Sequence, residues 1–148
     1  MNTSANDTQV GGSHYRGRSN DDRQHWDMCH LLNWDYFLCA ATKYVDRLGK
    51  KNNLEEELRK AAHYLTKRLE LVASGAIPPD TFFCTGGDER VKELIDWIQC
   101  GRRYSAHVAG QTSFWVLILH GHHEKARDLA VDMADVVAAI RESLQSKP

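Results

Sequence analysis

The stretch NLEEELRKAAHYLTKRLELVASG, residues 53–75, decides the fold. Asn53 is a helix-capping residue, and Glu56 stands three positions on, the spacing of a capping box. Leu54, Leu58, Ala61, Leu65, Leu69 and Val72 then recur at helical spacing, giving one apolar stripe on a long amphipathic helix. Ser74-Gly75 supplies the stop, and Ile77-Pro78-Pro79-Asp80 reads as a rigid connector between two halves. Such a helix must bury its stripe against other elements.

The flanking segments supply more helices. On the N-terminal side, Gln24 to Leu32 predicts a short one. Asn33 is the expected N-cap of a second, since Trp34, Phe37, Leu38, Ala41, Val45 and Leu48 follow at helical spacing and Gly49 offers a left-handed stop. Beyond the connector, Asp88 to Arg103 carries Val91, Leu94, Ile95 and Ile98 on one face. Tyr104 to Thr112 is ambiguous, and Phe114 to Leu119 is too short for periodicity to separate a buried strand from the end of a helix. His120-Gly121-His122-His123 breaks the chain. Glu124 to Leu144 is then a helix with Ala126, Leu129, Ala130, Met133, Val137, Ile140 and Leu144 expected inward. The expected fold is all-α, a small helical bundle with one short strand or hairpin left open. Residues 1–23 form a flexible arm, and residues 24–148 a single helical domain whose halves share a core.

Composition bounds the function. The 148 residues are 42% apolar and 26% charged, a globular balance that excludes wholesale disorder. Lys and Arg number 19 against 20 Asp and Glu, a net charge of −1, so no general nucleic-acid binding is expected. No apolar run approaches the ~18 residues of a membrane span, and the first residues lack the basic and apolar regions of a signal peptide. No membrane is expected, and a cytoplasmic protein is the default. Cys29, Cys39, Cys84 and Cys100 contain no C-x-x-C pair, so each reads as a small packing residue and no zinc is expected.

Several constellations can carry chemistry. Gly11-Gly12 frees backbone amides for a tight turn beside the polar tips of Ser13, His14 and Tyr15, which suit a phosphate or a base. An unstructured arm fits the same residues. Lys43, Arg47, Lys50 and Lys51 form the densest basic cluster, able to clamp phosphate oxygens or simply to stay solvated. Lys60, His63 and Lys67 follow the polar side of the 54–72 helix, with Glu57, Tyr64 and Arg68 beside its stripe. Antiparallel packing of the two helices would bring the basic groups near Gly49 to the start of the second. Asp128, Asp132 and Asp135, with Glu124, line the last helix and could hold Mg²⁺ with substrate phosphates, or face water. No Walker A loop, G-x-G-x-x-G or G-x-S-x-G is present.

The first-half signals fall in an order. Gly11-Gly12-Ser13-His14-Tyr15 precedes Gln24-His25-Trp26-Asp27, Tyr36-Phe37, the Lys43-Tyr44-x-x-Arg47-x-x-Lys50-Lys51 run, and Glu57-Leu58-x-Lys60-Ala61-x-x-Tyr64. This order resembles the SaV-like phage domain family of unknown function, over residues 11 to about 71. The same domain closes the P-loop-less nucleotide kinase of a T-odd coliphage. The resemblance implies nucleotide handling in an infected bacterial cytoplasm, acting on (deoxy)nucleoside monophosphates with ATP or another nucleotide. In that reading Ser13, His14, Tyr15, Lys43, Tyr44, Arg47, Lys50, Lys51 and Tyr64 hold substrate and phosphates. Lys60, Glu57 and His63 are the catalytic candidates, although Glu57 is one methylene longer than the family's usual Asp. Two alternatives stand beside the kinase. One is a protein that sequesters a nucleotide or signalling nucleotide. The other is a pyrophosphohydrolase, since Asp132-Met133-Ala134-Asp135 is similar to half of the MazG-type acidic motif, while Glu55-Glu56-Glu57 lacks the spacing of the other half. A helical chain this small offers few deep pockets, so a homo-oligomer is expected.

Overall fold

The computed structural model describes residues 23–50, 53–79, 88–102 and 107–146. Its central element is the helix expected from the 53–75 stretch. Leu54–Ala73 is helical, the Asn53 side chain accepts from the Glu56 amide at 2.7 Å, and Ser74 caps the far end before Gly75 turns left-handed. Leu58, Ala61, Ala62 and Leu65 are buried along it. In chain order the helices are α1 (His25–Leu32), α2 (Tyr36–Asp46), α3 (Leu54–Ala73), α4 (Glu89–Arg102), α5 (Val108–Leu119) and α6 (His123–Gln145). No strand occurs among the described residues, and the fold is all-α.

Polar pairs fix how α3 meets its neighbours. Arg68 meets His123, Arg59 meets Asp135 and Arg141 meets Glu55, so α6 runs antiparallel to α3. Arg47 meets Glu57 and Asp35 meets Arg68, which makes α2 antiparallel to α3 as well. Ala126, Ala130 and Ala134 recur every four residues on α6, all fully buried. Small side chains on that ridge let the helix backbones approach closely. Leu38, Val45, Leu58, Leu65, Phe114 and Ile118 complete this core. A second core gathers Met28, Leu32, Leu94, Trp97, Trp115 and Leu119 from α1, α4 and α5, and Trp34 packs against both. Both cores therefore draw on residues from either side of the Pro78-Pro79 connector.

The structure corrects three expectations and decides one point the sequence left open. Asn33 does not cap α2; at φ 53° it is the left-handed C-cap of α1, and Asp35 caps α2 by accepting from the Leu38 amide at 3.0 Å. Asn tolerates the left-handed region better than most residues, which assigns it the C-terminal duty. Phe114 to Leu119 is helix, not strand. Ile95 is exposed and Trp97 takes its place inward. Ile140 and Leu144, expected inward, are 55% and 65% exposed. No helix of the described residues is long and apolar enough to cross a membrane.

Candidate functional site: an aromatic and cationic face on α2 and α3

The antiparallel α2–α3 pair brings most of the expected basic and aromatic residues together. Tyr44 of α2 and Tyr64 of α3 stack with ring centroids 5.7 Å apart and 20° between planes. Three cationic groups surround the Tyr44 ring: the Arg47 guanidinium carbon at 4.7 Å, Lys43 Nζ at 4.9 Å and Lys60 Nζ at 5.5 Å from its centroid. Positive charge over an aromatic face is attracted by the ring quadrupole, so the ring holds cations that would otherwise repel each other. Tyr36, two-thirds exposed, meets the Tyr64 ring edge-on at 5.8 Å, with the two hydroxyls 3.5 Å apart. Contact with the Tyr64 hydroxyl raises the Tyr36 phenol above its ordinary range. Glu56, bonded to Lys60 at 2.9 Å, likewise raises the lysine and keeps it charged.

Beneath this face lies a buried ion pair. Glu57 has no exposure and Arg47 only 6%. The guanidinium donates to both carboxylate oxygens, Nε to Oε2 and a terminal nitrogen to Oε1 at 3.0 Å. Arg47 thus presents its fork to Glu57 while its guanidinium carbon lies over the Tyr44 ring. Glu57, a catalytic candidate from sequence, sits under the platform rather than at its surface. A carboxylate removed from water survives as an ion only with such a partner.

The other candidates scatter. Ser13, His14, Tyr15 and Lys51 lie outside the described residues. Lys50 is exposed in the turn after Gly49. His63 is exposed beside Tyr64, ring centroids 6.2 Å apart, and Lys67 pairs with Glu70. The acidic residues of α6 have different neighbours: Asp128 pairs with Arg127, Asp135 with Arg59, and Asp132 lines a cleft. Among the described residues no group of three or more His, Cys, Asp or Glu side chains could hold a metal ion.

Sequence reasoning gave no role to Tyr36, which lies eight residues before Tyr44 and about 80° round α2 from it, yet meets the same Tyr64 ring. It also missed two buried polar chains. Arg68 bridges Asp35 at 2.8 Å and His123 Nδ1 at 2.9 Å, tying the start of α2 to the start of α6. His25 Nε2 lies 2.8 Å from the Thr42 hydroxyl, which itself donates to the Leu38 carbonyl. That hydroxyl therefore accepts from the imidazole, leaving Nδ1 to face the Cys29 thiol at 3.5 Å. Cys29 and Cys39 are free thiols. A hydrogen bond between them pushes Cys29 up, with burial adding to it, and pulls Cys39 down against the effect of burial. Cys84 and the Cys100 side chain lie outside the description.

No curated protein and no solved structure matches the chain. Residues 12–66 match the model of an uncharacterised protein family, DUF3310, and that segment contains the whole Tyr36, Lys43, Tyr44, Arg47, Glu57, Lys60 and Tyr64 cluster.

Proposed function

We propose that the protein binds a nucleotide on the α2–α3 face. The observation that carries this reading is the Tyr44–Tyr64 stack with three cationic groups around one ring. A nucleotide offers the complementary pair, a flat base for a tyrosine face and phosphate oxygens for ammonium groups. Lys43 and Lys60 are the phosphate ligands, since the Arg47 fork is engaged by Glu57. Tyr36, the most exposed ring of the set, is the base platform, with Tyr64 behind it. Ser13, His14, Tyr15, Lys50 and Lys51 remain further candidates from the resemblance.

The finer reading is kinase-like transfer to a (deoxy)nucleoside monophosphate by a phage-encoded cytoplasmic protein. Phosphoryl transfer asks mainly for positioning and charge neutralisation, which two lysines and bound Mg²⁺ can supply without a protein carboxylate. Burial of Glu57 favours this over a mechanism in which that residue acts on substrate. The pyrophosphohydrolase reading has less support, because arginines already engage Asp128 and Asp135 of α6.

The test is calorimetry with nucleoside mono-, di- and triphosphates, the unphosphorylated nucleoside and inorganic phosphate, followed by phosphotransfer from ATP to each monophosphate with Mg²⁺. Nucleotides should bind better than either fragment. Tyr36→Ala should weaken binding roughly tenfold or more, from the ~1–3 kcal/mol that a stacked base contributes. Binding without product would leave a sequestering protein. No nucleotide binding, or binding indifferent to Tyr36→Ala and Lys60→Ala, overturns the site.

A further inference from the structure

The free thiols of Cys29 and Cys39 meet where α1 turns into α2. Cys29 stands in the last turn of α1, and Cys39, ten positions on, in the first turn of α2. Left-handed Asn33 folds the chain back between them. Trp34 then ties the two ends together. Its amide donates to the Cys29 carbonyl at 3.1 Å, and its own carbonyl accepts from the Cys39 thiol at 3.7 Å. The two sulfurs share a hydrogen bond. Their surroundings differ. Cys29 is only 8% exposed and packs beside His25, with Sγ 3.5 Å from Nδ1, whereas Cys39 is half-buried. Contact with Cys39, then burial, holds Cys29 as the thiol, and the same contact favours the thiolate of Cys39.

We infer that Cys29 and Cys39 form a reversible disulfide site, with Cys39 as the attacking thiol, Cys29 as the resolving one, and a small-molecule disulfide of the glutathione kind as oxidant. In the first step the Cys39 sulfur attacks one sulfur of the small disulfide. A mixed disulfide forms, the original S–S bond breaks, and the released thiolate takes up the proton that Cys39 gave up. In the second step Cys29 attacks the Cys39 sulfur of the mixed disulfide. The internal S–S bond replaces the mixed one, and the second small thiol leaves with the Cys29 proton. Two protein thiols are oxidised and one small disulfide is reduced to two thiols, so excess thiol runs the exchange backward. Access sets the order of events: a reagent from solvent reaches the half-buried Cys39, and the enclosed Cys29 reaches Cys39. Sulfurs already in hydrogen-bond contact close by side-chain rotation, without movement of a helix, so the fold poses the pair for the bond.

The test equilibrates the full chain, folded and in urea, with reduced glutathione at one concentration and glutathione disulfide at graded ones. Free thiols are then alkylated, and the chain is digested with trypsin for mass spectrometry. No Lys or Arg lies between Gln24 and Lys43, so both cysteines fall in one peptide. The bond shows there as two missing hydrogens and two sulfurs that escape alkylation. The folded chain should be half oxidised at a glutathione disulfide concentration roughly tenfold or more below that of the unfolded chain, because the native contact removes the cost of closing the loop. Oxidation should raise the thermal midpoint and leave helix content by circular dichroism unchanged. Cys29→Ser should stop at a mixed disulfide on Cys39, and Cys39→Ser should leave Cys29 unmodified; if either variant loses helix, the folded and unfolded wild type decide alone. Thiols that stay reduced in the folded chain, equal midpoints for the folded and unfolded chain, pairing with Cys84 or Cys100, or loss of helix on oxidation each overturn the inference. A folded Cys39→Ser chain that takes glutathione on Cys29 overturns the order of attack.

Discussion

At the scale of residues, the Arg47–Glu57 pair dominates the energetics of the candidate site. Two charges removed from water are held by a two-point hydrogen bond, and neither tolerates the loss of its partner. Glu57→Ala should cost about 3–5 kcal/mol, read as a drop in thermal midpoint. Arg47→Met combined with Glu57→Leu should restore most of that stability, because an apolar pair of similar volume avoids the desolvation. A double variant no better than Glu57→Ala would show that the pair holds more than itself. The residues of this site were legible from sequence as types and spacing: Lys43, Tyr44, Arg47, Lys60 and Tyr64 were all singled out. Their division of labour was not. An acid beside an apolar stripe looks the same whether it faces water or an arginine ten positions back in the chain, and only the packing of α2 on α3 decides.

At the scale of elements, local signals were readable where they are short-range. Asn53 with Glu56 fixed the start of α3, and Gly49 and Gly75 do adopt positive φ, +80° and +77°. The α5 helix was not readable, for a physical reason. Phe114 and Ile118 face one core while Trp115 and Leu119 face the other, so the helix is apolar nearly all round and shows no period. The two glycines separate backbone strain from crowding. A side chain at Gly75 would meet nothing within 4 Å, whereas one at Gly49 would come to 3.0 Å from His107 Nε2. Gly75→Ala should therefore cost only the left-handed strain, about 1–2 kcal/mol. Gly49→Ala should cost more, and His107→Ala should recover the excess in a double-mutant cycle read by denaturant titration. Equal costs at the two positions would show that the α2–α3 turn does not rest on His107.

At the scale of the whole molecule, Glu55 clamps two helices. It accepts from Arg59 on its own helix at 3.0 Å and from Arg141 on α6. Arg59 first, then Arg141, hold its carboxyl below the ordinary range. A lowered folded-state value means the clamp contributes fully above the ordinary carboxylate pKa and is lost as pH falls through the lowered one. Glu55→Gln should thus melt below the wild type at neutral pH, and the two midpoints should converge in acid; a gap independent of pH would count against the clamp. The joint between the two cores has a different consequence. Trp34 stacks on Trp115 at 5.4 Å, and Trp97 meets the same ring edge-on at 6.1 Å, while Trp26 is half exposed. Three of the four tryptophans therefore form one coupled chromophore lying across the seam of the cores. The molecule carries its own optical gauge, in which ultraviolet ellipticity and emission colour follow the docking of α1, α4 and α5 separately from the α2–α3–α6 bundle.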